Sequence, residues 1–114
     1  RAIRYADILL MAAEANNRKT SPDDVKAQNY LNQVRARAFG NSSQASSSTG
    51  ATLTQEIWDE RRLELALEGH HFFDLVRTGE AATKISGFVT GKHEVFPIPQ
   101  TEIDISGLTQ NSGY

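Results

Sequence analysis

The sequence contains no cysteine and no long hydrophobic run. Without cysteine there is no disulfide, thiolate nucleophile or Cys-ligated zinc, but no compartment is assigned, because exported bacterial proteins also often lack cysteine. No stretch approaches the roughly 18 consecutive apolar residues of a bilayer-spanning helix, and no segment resembles a signal peptide. The formal net charge of -2 supplies no surplus of phosphate-neutralising cations. Nucleic-acid binding is therefore not expected.

Sequence signatures of catalysis are missing as well. The chain has no GxSxG elbow, P-loop or HExxH motif, and its serine run at residues 42–48 is typical of a linker. Glu60 and Glu64 could be a catalytic carboxylate pair of the glycosidase kind. Such pairs normally flank a substrate from separate elements, whereas these two lie on one helix beside Arg61. We predict a non-enzymatic protein without a cofactor.

Residues 1–39 carry the pattern of a helical hairpin. Residues 5–15 are apolar around most of the helical wheel, so this helix is expected to be covered on several sides. Ser21, followed by Pro22 and two aspartates, predicts the start of a second helix that runs to about Ala38. The hairpin is typical either of a tetratricopeptide-like unit or of an ordinary pair of helices in a globular domain.

The remaining residues predict further helices and then an irregular tail. Residues 40–51 are rich in serine and glycine without periodicity, which predicts a mobile loop. A capping box at Thr52 and Gln55 predicts a third helix to Glu68, and residues 70–78 predict a short fourth one, so that residues 52–79 are helical. Residues 80–114 contain several glycines and the Pro97–Pro99 segment, which predict an irregular tail. The fold class is mainly α.

Charged residues lie within the apolar face of the third helix. Glu60, Arg61 and Glu64 fall on the same side of the wheel as Leu53 and Ile57. Unpaired buried charges are too costly to persist, so we predict a structural ion network of Glu60, Arg61 and Glu64. A solvated polar face is the alternative.

Few residues suggest a ligand site. Trp58 and Tyr114 are candidates for stacking on a sugar ring, although a tryptophan in mid-helix more often belongs to the core. Metal-ligand residue types cluster near the end of the third helix, at Glu68, His70, His71 and Asp74. Adjacent histidines point to different sides of a helix, so no metal site is predicted.

Six motifs in order resemble the C-terminal part of the SusD/RagB family. They are Tyr5–Ala15, Leu31–Ala38, Glu60–His70, Phe73–Leu75 with Arg77 and Gly79, Pro97–Pro99 with Glu102 and Ile103, and Gln110–Asn111 with Gly113–Tyr114. The order and spacing cover nearly the whole chain. Two positions depart from the family pattern, because His71 stands where arginine is common and Ser112 where proline is common.

The resemblance implies a larger α-rich, SusD-like fold built on tetratricopeptide-like hairpins, of which this chain is a C-terminal portion. The chain also opens at Arg1 inside a helical pattern, so its natural N-terminus is expected to lie upstream. Family members are outer-membrane lipoproteins of Bacteroidetes-type bacteria, held at the cell surface by an N-terminal lipid anchor that this portion lacks. They bind glycans or other nutrients and work in polysaccharide utilization with a SusC-type TonB-dependent transporter.

In the family the aromatic ligand platforms come largely from upstream segments, so these residues are expected to be mainly scaffold. A helical protein–protein adaptor with no sugar ligand is the alternative. The aromatic content of 8% is ordinary and separates the two only weakly.

Overall fold

A computed structural model describes residues 3–114 of the chain. Within this range six α-helices and no β-strand are found, which confirms the mainly α fold class. The helices are α1 (Tyr5–Arg18), α2 (Asp24–Phe39), α3 (Gly50–Glu64), α4 (His71–Thr78), α5 (Ala81–Lys84) and α6 (Gln100–Ser106). The chain divides into two compact units, Arg1–His71 and Phe72–Tyr114. In the described part, none of the helices is long and apolar enough to cross a membrane.

The core of the first unit lies where α1, α2 and α3 meet. Its largest fully buried side chains are Leu10, Leu31, Val34, Leu53 and Ile57, so each of the three helices contributes at least one. Complete burial of one such side chain stabilises the folded state by roughly 1.5–3 kcal/mol. Helix α1 contacts both of the other helices, and most extensively α2, as the predicted hairpin requires.

Helix α1 buries one face and exposes another. Leu9, Leu10 and Ala13 face the core, while Tyr5, Ile8 and Met11 are exposed. The expectation that this helix is covered on several sides is therefore not met by the described residues. Three polar residues of this helix are buried instead: Asp7, Glu14 and Asn17.

The start of α2 differs from the sequence prediction by two residues. Asp23 is the N-cap, and its carboxylate accepts a hydrogen bond of 3.0 Å from the backbone N–H of Lys26. Ser21 and Pro22 precede the helix instead of capping and opening it, because Asp23 offers the same kind of acceptor one turn from the Lys26 amide. The helix ends at Phe39, and its C-cap is Gly40, whose φ of 72° is the left-handed conformation that favours glycine.

Helix α3 starts earlier and ends earlier than predicted. The expected capping box at Thr52 is wrong, because the helix begins at Gly50, whose N–H donates to the carboxylate of Asp24 on α2 at 2.8 Å. The expected end at Glu68 is also wrong. The helix ends at Glu64 with Leu65 as its C-cap, and Leu67 adopts a left-handed φ of 65° with its side chain fully exposed. Neither end could be predicted from local sequence preferences, because the first is capped by a residue of another helix and the second involves a leucine with a left-handed φ.

The second unit contains more helix than its composition suggests. Helix α4 and the left-handed Gly79 that follows it lie where they were expected. The region predicted as an irregular tail contains α5 and α6 as well as loops. Helix α6 begins directly after Pro99, which occupies its N-cap.

Candidate functional site

A buried ion pair joins α3 to α1. The guanidinium Nη1 of Arg61 lies 2.7 Å from Oδ1 of Asp7, and the side chains of both residues are almost completely removed from solvent. Desolvating two charges is costly, and close pairing compensates for that cost. Asp7 was not singled out from the sequence, although an acidic residue on a mostly apolar helix could have indicated a buried ion pair.

Glu64 forms a second set of pairs with the hairpin. Its Oε1 lies 2.9 Å from Nη1 of Arg4, and its Oε2 is paired with Arg37 of α2. Arg4 also reaches Glu68, with Nη2 2.9 Å from Oε1. One carboxylate on α3 is thereby linked to the start of α1 and to the last turn of α2.

Glu60 belongs to a third set centred on Arg35. The Nε of Arg35 donates to Oε2 of Glu60 at 2.8 Å, and its Nη1 lies 3.2 Å from Oε2 of Glu56. Burial alone would raise the pKa of Glu56. Hydrogen bonds from Ser46 and Ser48 and the charge of Arg35 outweigh burial and hold this pKa below its ordinary value.

Each of the three charged residues singled out from the sequence thus has a partner on α1 or α2. Glu60, Arg61 and Glu64 pair with residues that lie 25 to 60 positions earlier in the chain. This arrangement can fix the positions of the three helices. The assignment of these residues to a purely structural role is a proposal.

The same helices hold the serine-rich connector. The side chain of Asn32 accepts from the Ser46 N–H at 2.7 Å and donates to the Ser46 carbonyl at 3.0 Å, so one amide holds both backbone groups. Gln28 donates to the Ser48 carbonyl at 2.8 Å, and the Ser48 hydroxyl donates to Glu56. Serine-rich composition predicts mobility, whereas these bonds anchor the loop to α2 and α3.

Trp58 lies outside the main core cluster and is partly buried. The Arg18 guanidinium sits 5.4 Å from the centre of its ring, a cation–π geometry. Its indole N–H is buried and has no hydrogen-bond partner among the residues that the structure describes. One ring face is therefore occupied by a cation, which weakens the case for Trp58 as a sugar platform.

Tyr114 belongs to a C-terminal clasp, which we define as residues 110–114. Its hydroxyl donates to the Val95 carbonyl at 2.9 Å, and its ring carries the Lys92 ammonium at 4.8 Å from the ring centre. Asn111 donates to the Phe96 carbonyl at 2.6 Å. The clasp therefore holds the extended segment that precedes α6.

Gln110 makes the most specific contact of the clasp. Its Oε1 accepts from the Ile98 N–H at 2.8 Å, and its Nε2 donates to the Ile98 carbonyl at 2.9 Å. Prolines flank Ile98 on both sides and have no N–H, so Gln110 satisfies the one backbone donor of this stretch.

An aromatic cavity of about 440 Å³ lies within the second unit. Rings from four separate segments line it: Phe72, Phe88, Phe96 and Tyr114. Phe72 and Phe96 are tilted neighbours with centres 6.3 Å apart, and Phe88 meets His93 edge-on at 5.7 Å. Ser86 and His93 add polar groups to the lining. This cavity could not be predicted from the sequence, because the phenylalanines are spread over 25 positions of the chain.

A second cavity of about 540 Å³ lies between α1 and α2 in the first unit. Arg4 and Arg37 line it together with Tyr5, Leu9 and Gln33. Arg4 is paired with Glu64 and Glu68, and Arg37 is paired with Glu64, so two carboxylates compensate the two positive charges. The aromatic cavity is the better candidate for a ligand site. Among residues 3–114, no group of three or more His, Cys, Asp or Glu side chains is placed to hold a metal ion.

Comparison with known proteins identifies relatives along most of the chain. The sequence model of the SusD family matches residues 1–95. SusD-like protein P25 of Formosa agariphila is 30% identical over 128 residues, which cover 97% of this chain and 24% of the relative. SusD-like protein P38 of the same organism is 36% identical over 93 residues, covering 77% of this chain and 18% of the relative. SusD-like protein P2 is 34% identical over 103 residues, covering 85% and 19%. The chain spans about a quarter or less of the length of these relatives.

Proposed function

Because this chain belongs to the SusD family, we propose that it is part of a protein that binds a nutrient at the surface of a bacterial outer membrane without changing it chemically. The ligand class is a glycan. The observation that carries the proposal is the family match over residues 1–95, which covers the whole first unit and the second unit as far as Val95.

We assign these residues mainly to the scaffold. The support is the set of ion pairs that tie α3 to both helices of the hairpin, through Asp7, Arg35 and Glu64 among others. Such pairs fix the positions of packed helices, which suits a structural role for these charges. In line with its family, the protein is proposed to capture its ligand and release it intact.

The proposed partner is a SusC-type TonB-dependent transporter, to which the bound glycan is handed. The family assignment supports this partner and an anchored position at the cell surface. Weak binding that leaves the ligand chemically unchanged suits such a transfer, because a ligand that must be passed on cannot be held too tightly.

Deletion of the gene in its source bacterium tests the proposal. We expect the deleted strain to lose uptake of at least one polysaccharide, and a tagged copy at the native locus to recover a barrel transporter from outer membranes. A complemented strain is the control. Unchanged uptake on every polysaccharide of a broad panel would overturn glycan binding as the function.

An adaptor that binds a protein and no sugar is the second candidate. The exposed apolar side chains of α1, Tyr5, Ile8 and Met11, favour it, because contiguous apolar surface often marks a protein contact. The two proposals differ in one outcome. An adaptor would recover its partner in the tagged pull-down, while the deletion would leave polysaccharide uptake unchanged.

A further inference from the structure

The aromatic cavity of the second unit points to a ligand contact within this portion of the chain. We propose that the cavity walled by Phe72, Phe88, Phe96 and Tyr114 binds a sugar ring of the glycan. The inference rests on the proposed function and gives that function a site. It adds a binding contact to residues whose role is otherwise scaffold.

The size and walls of the cavity suit a carbohydrate ring. Its volume of about 440 Å³ falls within the range of about 300–1,000 Å³ typical of small-molecule sites. The face of an aromatic ring carries partial negative charge, and the C–H groups of a pyranose carry partial positive charge, so the two attract when stacked. Phe96 is 72% exposed, which leaves its ring surface accessible to a ligand, whereas the ring of Tyr114 already carries the Lys92 ammonium and serves as a side wall.

Two polar groups in the lining can orient such a ring. The Nδ1 of His93 accepts the Val89 N–H at 3.0 Å, so the neutral imidazole carries its proton on Nε2 and can donate from there. The Ser86 hydroxyl can donate or accept. A few polar groups among aromatic walls are the usual composition of a ligand site, and both kinds of group match sugar hydroxyls.

The cavity walls are held in place before a ligand arrives. The turn at residues 89–94 is closed on itself by the Val89–His93 contact and by the Gly91 N–H, which donates to Glu94 at 3.0 Å. The clasp fixes the next segment through the hydroxyl of Tyr114 and the amide of Asn111. Preorganised walls reduce the entropy cost of binding, so a small site can still contribute measurable affinity.

The test uses the purified chain in native gels that contain an α-glucan, a β-glucan, a fructan or a mannan. We expect at least one polysaccharide to retard the chain. Phe96→Ala should weaken that affinity roughly three- to tenfold, the value of one aromatic contact, and Ser86→Ala should weaken it to a smaller extent. Leu108→Ala is the control, because Leu108 is 53% exposed in the same unit and does not line the cavity.

Three outcomes separate this site from the proposed function. Reduced retardation of Phe96→Ala with normal retardation of Leu108→Ala, and unchanged circular dichroism in both, supports the site. Equal retardation of the wild type, Phe96→Ala and Ser86→Ala overturns the site and leaves glycan binding intact. Failure of every polysaccharide to retard the wild-type chain also overturns the site, whereas the deletion phenotype decides glycan binding independently.

Discussion

The guanidinium of Arg61 lies 2.7 Å from the carboxylate of Asp7, although 54 positions separate the two residues in the chain. Arg61 is only 5% exposed, so the pair is formed inside the first unit and not on its surface. It connects the last turn of α3 to the first turn of α1. Long-range pairs of this kind make the position of α3 depend on the hairpin.

Removing one member of this pair should strongly destabilise the first unit. Arg61→Ala leaves the Asp7 carboxylate buried without its cation, which typically costs about 3–5 kcal/mol. Urea unfolding followed by the fluorescence of Trp58 measures this loss. Arg62→Ala is the control, because Arg62 is the next residue and is exposed. Equal shifts in the two variants would contradict a buried, stabilising pair.

The contact between Asp24 and the start of α3 should make stability depend on acidity. Hydrogen bonds from the Gly50 N–H and from Asn17 hold the pKa of Asp24 below its ordinary value of 3.8. A carboxylate with a lowered pKa in the folded state stabilises the fold fully above the unfolded value, and this stabilisation is lost as the pH falls through the folded value. Asp24→Asn should therefore be less stable than the wild type at pH 7, and the difference should shrink below about pH 4.

Urea midpoints at a series of pH values measure this dependence. Asp59→Asn makes the same chemical change on α3, where the carboxylate accepts a longer bond of 3.4 Å from Gln55 of its own helix. A constant difference between Asp24→Asn and the wild type from pH 7 to pH 3 would argue against a role for the ionised Asp24.

The serine-rich connector should lose protection when Asn32 is truncated. Asn32→Ala removes both hydrogen bonds to the Ser46 backbone, each with a net value of about 0.5–1.5 kcal/mol. Amide exchange at Ser46 should accelerate about tenfold or more. Asn29→Ala, an exposed position of the same helix, serves as the control. Fast exchange at Ser46 in the wild type would mean that the loop is as mobile as its composition predicts.

Substitution of Gly113 should be tolerated less well than substitution of another glycine with a similar backbone angle. Both Gly113 and Gly91 are left-handed, with φ of 87° and 84°. A Cβ at Gly113 would lie 3.1 Å from Cβ of Lys92, whereas a Cβ at Gly91 would meet no atom of the described residues within 4 Å. Gly113→Ala should therefore loosen the clasp and accelerate amide exchange at Ile98 more than Gly91→Ala does. Similar exchange in the two variants would show that backbone strain alone decides the effect.

The helices could be predicted from the sequence because their apolar spacing is local information. The buried positions Ala27, Leu31 and Val34 follow that spacing on α2. The ends of α3 could not be predicted in the same way, since a carboxylate of α2 caps its first residue and a left-handed Leu67 lies beyond its end. These features depend on contacts between distant residues or on a strained conformation.

The residues of the candidate site could likewise be predicted only in part. The charges of Glu60, Arg61 and Glu64 stood out against an apolar face, so their involvement in ion pairs could be anticipated. Their partners could not, because Asp7, Arg35 and Arg37 become neighbours of α3 only when the helices pack. The aromatic cavity was missed for the same reason, although Tyr114, one of its four rings, was a candidate from the start.

The pairing of Gln110 with Ile98 also bears on self-association. Exposed extended segments with apolar side chains, such as the one that contains Phe96, are the usual templates for intermolecular β-pairing. Here Pro97 and Pro99 have no N–H to offer, and the Ile98 N–H already donates to Gln110. A strand from another copy would find no free backbone donor from Pro97 to Pro99. The clasp thereby occupies the one backbone donor through which this stretch could pair with a strand of another copy, while the ring of Phe96 beside it stays exposed.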